Sequence, residues 1–253
     1  MEYVALGKSN LLVSRTAFGV AGLEKSGGDA ALSMIRTAYD AGVNFFDASS
    51  ATPESERILG EGIAPFRKNV IVATKTPAYS VASMSSDIDR SLRNLRLDYI
   101  DLCQIEVPSS LPETRGSDGV VERLLSFREA GVIRHFGVST ESVEVALSVL
   151  TSDVEWETVQ FPFNMLASGE TESLPADCAE SDVGFIAMRP LCGGLIDSVR
   201  LAFGYLRQFG NVVPVWCART PQELAQILFF TQNPPEIDES FLEECRLKRQ
   251  FYN

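Results

Sequence analysis

The chain has 253 residues, 45% of them hydrophobic, with a formal net charge of −12. That length and apolar content suffice for one sizeable core, and single α/β barrels commonly run to about 250 residues. The acidic balance argues against nonspecific binding to nucleic acid or anionic membrane, no apolar run reaches the roughly 18 residues of a membrane span, and Met1–Asn10 lacks a signal-peptide core. The five cysteines (103, 178, 192, 217, 245) are an odd number without close pairing, and read as reduced thiols of a cytoplasmic protein. His135 is the only histidine, so a metal site built on imidazoles is not expected.

Taken in order, Met1–Val13 suggests a small hairpin. Thr16–Gly22 reads as a first strand, Asp29–Ala41 as a helix and Val43–Asp47 as a short buried strand ending in a carboxylate. A helix over Ser55–Ala64 precedes the strand Asn69–Lys75. Ser86 is expected to cap a helix through Leu95, with Asp87 and Asp89 favourable in its first turn. Tyr99–Glu106 is the next strand, followed by the loop Pro108–Gly119 and a helix stopped at Gly131.

Ile133–Ser139, Thr158–Phe163, Val183–Pro190 and Val212–Cys217 complete the strands, and Val143–Leu150, Leu174–Ser181 and Leu201–Phe209 the helices between them. Thr220-Pro221-Gln222-Glu223 is a capping box opening the last clear helix. The tail Leu242–Asn253 reads as a solvated helix end. Eight near-continuous apolar strands alternating with helices point to a parallel sheet covered on both sides. Either a (β/α)8 TIM barrel with an N-terminal β-hairpin or an open doubly wound sheet satisfies the alternation; the count of eight favours the barrel. No linker or low-complexity segment interrupts the chain, so 1–253 reads as one domain.

Three strands end in a charged residue: Asp47, Lys75 and Glu106. In a barrel they converge at the C-terminal mouth, where active sites sit. The bland alternative is a structural ion pair, since a buried charge needs a partner.

The segments Gly42-Val43-Asn44-Phe45-Phe46-Asp47, Ser55-Glu56-Arg57-Ile58-Leu59-Gly60, Val72-Ala73-Thr74-Lys75, Leu97-Asp98-Tyr99-Ile100-Asp101-Leu102, Gly131–Ser139 and Pro190-Leu191-Cys192-Gly193-Gly194-Leu195 occur in one order and spacing. In this the chain resembles the aldo/keto reductase superfamily, from about Leu6 to about Leu228. The resemblance implies an NADPH-dependent carbonyl reductase on a TIM barrel, without a Rossmann motif. It implies a tetrad of Asp, Tyr, Lys and His. Asp47 and Lys75 fall on their positions; Thr52 takes the place of the tyrosine and Glu106 that of the histidine. A threonine hydroxyl is far too weak an acid to replace a phenol, so ordinary carbonyl reduction is expected to be weak or absent. Tyr79, four residues after Lys75, is a candidate substitute phenol. His135 opens its strand and belongs at the opposite face.

Glu at the histidine position is also found in steroid double-bond reductases of this superfamily, which makes an enone a second substrate class beside carbonyls. Asp47 and Glu106 would share one Lys75, leaving Glu106 able to stay protonated and serve as the acid. For the cofactor the resemblance implies Ser139, Thr140 (for the usual Asn), Gln160, Met188 (for the usual aromatic), Leu191, Arg219 and Thr220, the last two toward a 2′-phosphate. Gln226-Ile227 replaces the usual Glu-Asn pair. Cys103 and Cys192 are expected near the mouth as small apolar residues, Arg189 as a handle for an acidic substrate or a surface ion pair, and Trp216 as barrel core or as a residue lining the site. Three readings follow: a reductase working with Asp47, Lys75 and Glu106, an inactive barrel acting as a binding or regulatory module, and an enzyme using Lys75 without nicotinamide.

Overall fold

A computed structural model describes residues 1–77, 80–115 and 118–252. Two short strands, β1 (Tyr3–Ala5) and β2 (Leu12–Ser14), pair antiparallel as the expected hairpin. Eight further strands close a barrel: β3 (Ala17–Gly19), β4 (Phe45–Asp47), β5 (Ile71–Pro77), β6 (Ile100–Glu106), β7 (Ile133–Ser139), β8 (Thr158–Pro162), β9 (Gly184–Met188) and β10 (Val212–Cys217). Each pairs parallel with its sequence neighbour, and β10 returns to β3. This is the (β/α)8 TIM barrel of the sequence reading; the open sheet is ruled out by the β10–β3 ladder, Val215 to Ala17 and Cys217 to Gly19.

Alternation along the strands sorts side chains into two cores. Ala17, Phe45, Ala73, Leu102, Ile186, Val213 and Val215 point inward and pack with Leu6 and Val13 of the hairpin. The hairpin therefore plugs the bottom of the barrel. Leu6 is 1% exposed, and Gly7 lies so close to β9 that a Cβ there would be 2.2 Å from the Gly184 nitrogen. Phe18, Phe46, Val72, Cys103, Phe136, Phe185 and Trp216 point outward into the core under the helices.

The helices are α1 (Gly28–Asp40), α2 (Pro53–Ile63), α3 (Val81–Leu95), α4 (Val120–Glu129), α5 (Val143–Leu150), α6 (Glu170–Glu180), α7 (Val199–Arg207), α8 (Pro221–Gln232) and α9 (Glu239–Tyr252). Among the described residues none is long and apolar enough to cross a membrane. The expected start at Ser86 is six residues late, more than one and a half turns. Ser80 caps α3, its hydroxyl accepting from the Ser83 nitrogen at 3.1 Å. The first turn tolerates a serine because its hydroxyl bonds back to the chain, as Ser83 donates to the Ser80 carbonyl at 3.1 Å. The tail Leu242–Asn253 is more than a solvated end: Cys245 is buried, as is Phe241 just ahead of it in α9. Phe241 packs on Gly204 of α7, where a Cβ would come within 2.3 Å of its ring.

Candidate active site

The inward parity that buries Phe45 and Ala73 carries the next inward residues, Asp47 and Lys75, to the C-terminal mouth. There Lys75 Nζ donates to both Asp47 carboxylate oxygens, at 2.7 and 2.6 Å. Side-chain exposures of 12% and 7% leave the pair largely out of water. A second donor reaches Asp47 from across the barrel: Gln160 Nε2 lies 3.2 Å from Oδ2. Gln160 in turn accepts at Oε1 from Gln104 Nε2, at 2.9 Å. Strands β4, β5, β6 and β8 thus contribute one polar chain across the barrel interior.

Glu106 does not join it. Lys75 stands beside Gln104 in the β5–β6 register, and Glu106 beside Pro77. Two residues of strand put Glu106 about 6.6 Å further toward solvent. It is half-buried and makes no ion pair among the described residues. The expected sharing of Lys75 by two acids is therefore absent; Asp47 has the ammonium to itself. Thr52 sits at the start of α2, where its hydroxyl donates to the Ser49 carbonyl at 3.2 Å. Tyr79 lies outside the described residues. His135 is at the far end of β7, 2.5 Å from Glu157, as its place in the strand requires.

A cleft of about 490 Å³ opens over the Asp47–Lys75 pair. Gln160, Met188, Leu191 and Arg219, all expected at a cofactor site, line it together with the pair. Ser139 and Thr140 are buried on the neighbouring strand end; Ser139 pairs in register with Gln160, and the Thr140 hydroxyl accepts from the Ser142 nitrogen. Thr220 spends its hydroxyl capping α8, accepting from the Glu223 nitrogen at 3.2 Å. The Glu223 carboxylate takes the Arg219 backbone N–H at 2.7 Å, so the capping box closes one residue early. Arg189 forms an exposed ion pair with Glu141. It precedes a turn in which Cys192, Gly193 and Gly194 all have positive φ.

Cys217 escaped the sequence reading. It ends β10, lines the cleft, and lies over Gly19, where a Cβ would be 2.6 Å from its sulfur. The inward series Val213, Val215, Cys217 was the signal that could have found it. Solvent reaches Cys217, but the cleft walls desolvate the sulfur and push the thiol up to about 11, with the Asp47 charge adding to that effect and Lys75 and Arg219 opposing it. Cys103 faces the helix layer, not the mouth, and burial pushes it up to about 12. Cys192 is half-buried in the turn after β9. Trp216 also faces outward, stacked on Phe203 with ring centroids 5.4 Å apart, and is among the residues lining the cleft. It is not in the barrel interior.

The profile of the Aldo/keto reductase family matches residues 17–203. Aldo-keto reductase YhdN of Bacillus subtilis is 29% identical over 215 residues, covering 78% of this chain and 64% of that protein. L-galactose dehydrogenase of Arabidopsis thaliana is 30% identical over 217 residues, covering 78% and 67%. The chain thus spans about two thirds of the length of these relatives. Among solved structures, the holo form of aldo-keto reductase AKR11C1 from Bacillus halodurans superimposes with a TM-score of 0.82 at 20% identity, over 98% of this chain and 96% of that one. At that identity the likeness concerns the fold. With the barrel, the paired Asp47 and Lys75 and the family match over residues 17–203, the chain belongs to the aldo/keto reductase family of oxidoreductases.

Proposed function

We propose that the protein is a cytoplasmic, NADPH-binding oxidoreductase whose altered tetrad (Asp47, Thr52, Lys75, Glu106) leaves ordinary carbonyl reduction weak. The observation that carries this reading is one continuous cleft. It runs from the Asp47–Lys75 pair past Met188 and Leu191 to the Arg219 guanidinium.

The residues fit a phosphorylated dinucleotide. Arg219 is exposed at the rim without an ion-pair partner among the described residues. Gly193 and Gly194 turn back with φ of +69° and +98°, and a Cβ on either would meet nothing within 4 Å. That leaves a bare backbone cradle beside a cation, suited to phosphate oxygens. Met188 and Leu191 would form the apolar wall, with Ser139, Thr140, Gln160 and Thr220 the remaining expected contacts. The dinucleotide supplies hydride when bound. Lys75 and Asp47 hold a fixed charge pair at the cleft floor. Glu106 ends β6 at the mouth without lining this cleft, so the weak carbonyl reduction follows from a cleft with no placed proton donor among the described residues.

A second reading, an inactive barrel serving as a binding or regulatory module, is favoured by Thr52. Its hydroxyl is engaged with backbone, and no tyrosine or histidine among the described residues lines the cleft. Titration with NADPH and NADH, followed by tryptophan fluorescence, separates the two. Trp216 lines the cleft, whereas Trp156 is packed on Phe136 elsewhere. Micromolar NADPH quenching that Arg219→Ala weakens supports the reductase. No response at millimolar cofactor removes it.

A further inference from the structure

The interior of the barrel mouth holds a polar side chain that no reading above uses. Gln104 is 0% exposed and has no route to the cleft. Its amide nevertheless fixes what happens there. Asp47 is a carboxylate paired with Lys75, so its oxygens only accept. The neighbour at 3.2 Å must therefore be the Gln160 NH2 group. That turns the Gln160 carbonyl oxygen away, to a position 2.9 Å from the Gln104 amide nitrogen. Only a donor can stand there. Gln104 provides one, at the expense of its own Oε1, which is buried without a partner. A fully apolar side chain would fill the same space without that orphaned oxygen.

We propose that Gln104 is a positioning residue: it locks the Gln160 amide with NH2 toward Asp47, so that the cleft meets Gln160 as a donor and never as a carbonyl acceptor. This rests in part on the proposed cofactor site, because it defines what Gln160 offers a ligand. The two are nonetheless separable, because the orientation exists without any ligand. With Gln104 removed, Gln160 Oε1 has lost its donor and the amide is held at its Asp47 end alone, by one bond of 3.2 Å.

The test uses the intact protein labelled with 15N. The Gln160 side-chain NH2 resonances, assigned by their loss in Gln160→Leu, are followed by hydrogen exchange in wild type, Gln104→Leu and Gln104→Glu. Slow exchange in wild type and exchange at least about tenfold faster in Gln104→Leu, with the backbone amides of β6 and β8 still protected, is the expected result. A general loosening would expose those backbone amides as well. In Gln104→Glu, acidification protonates the new carboxyl, restores a donor and restores protection. Equal exchange in wild type and Gln104→Leu overturns the proposal, as does pH-independent behaviour of Gln104→Glu. NADPH binding is the second readout. If wild type binds, Gln104→Leu is expected to weaken it by about tenfold without lowering the melting temperature. If wild type does not bind, the cofactor reading falls, and the exchange measurement still decides the role of Gln104.

Discussion

Lys75 on β5 grips both oxygens of Asp47 on β4, while the next inward acid, Glu106, stands one strand-step beyond its reach. The mouth of this barrel is therefore built on one closed ion pair with an outlying carboxylate, not on a shared triad. Everything expected of the site depends on that asymmetry.

The pair is the first thing to break. Lys75→Met leaves the Asp47 charge buried with only the Gln160 amide for company, and should cost about 3–5 kcal/mol of stability. Asp47→Leu added to it removes the orphaned charge and should recover most of the loss. Urea denaturation of the two variants checks both statements; equal stability of single and double variants would contradict them.

Close helix packing gives a sharper structural test. A Cβ at Gly60 of α2 would sit 2.3 Å from the Leu95 carbonyl oxygen of α3. Backbone cannot step aside as a side chain can, so Gly60→Ala should lose about 1–3 kcal/mol. Gly210→Ala meets nothing within 4 Å and should stay within about 0.5 kcal/mol of wild type. Thermal unfolding of the two alanine variants compares them directly.

Thiol chemistry should follow burial. Cys217 is reachable but its thiol is raised to about 11, so alkylation by iodoacetamide should be slow at neutral pH, accelerate on the approach to pH 11, and be blocked by any ligand filling the cleft. Cys103 is raised from 9.0 to about 12. Above pH 9 the unfolded chain ionises this thiol while the folded one does not. The contribution is therefore fully present below pH 9 and lost as pH rises toward 12. Cys103→Ala should flatten the fall of melting temperature across that window.

Restoring the missing acid tests the proposed function from the other side. Thr52 makes one side-chain bond, at 3.2 Å, and stands just ahead of α2, three residues after Ser49, which lines the cleft. Thr52→Tyr combined with Glu106→His should raise NADPH-dependent reduction of a simple aldehyde by about 100-fold, the usual contribution of a positioned proton donor. The loss of NADPH absorbance measures it. No gain, in a variant that still binds NADPH, would mean that the cleft geometry, not the missing phenol, limits the reaction.

Most of the fold was legible because local pattern and fold agree. Ile133–Ser139, Val143–Leu150 and Val212–Cys217 have the bounds that their apolar runs imply. Errors gathered at helix starts, where a serine at either 80 or 86 makes an acceptable cap and only the chain's path chooses. They also gathered at α9, whose anchor Phe241 precedes the tail read as solvated and whose buried Cys245 lies within it; neither stands out until Gly204 of α7 is seen beneath Phe241.

The site divides the same way. Strand-end positions follow from alternation alone, so the placement of Asp47, Lys75 and Glu106 toward the mouth was readable one strand at a time, whereas Gln160 came only from the family resemblance. Contacts between strands were not. Whether Lys75 meets Asp47 or Glu106, and whether Gln104 reaches Gln160, depends on the stagger set when β10 closes on β3, and no single strand carries that information. An alternating chain with acids and a lysine at its strand ends is written into the residues locally, because side-chain period and turn chemistry are local. Only the tertiary structure decided which of those charges touch, because register is a property of the closed barrel.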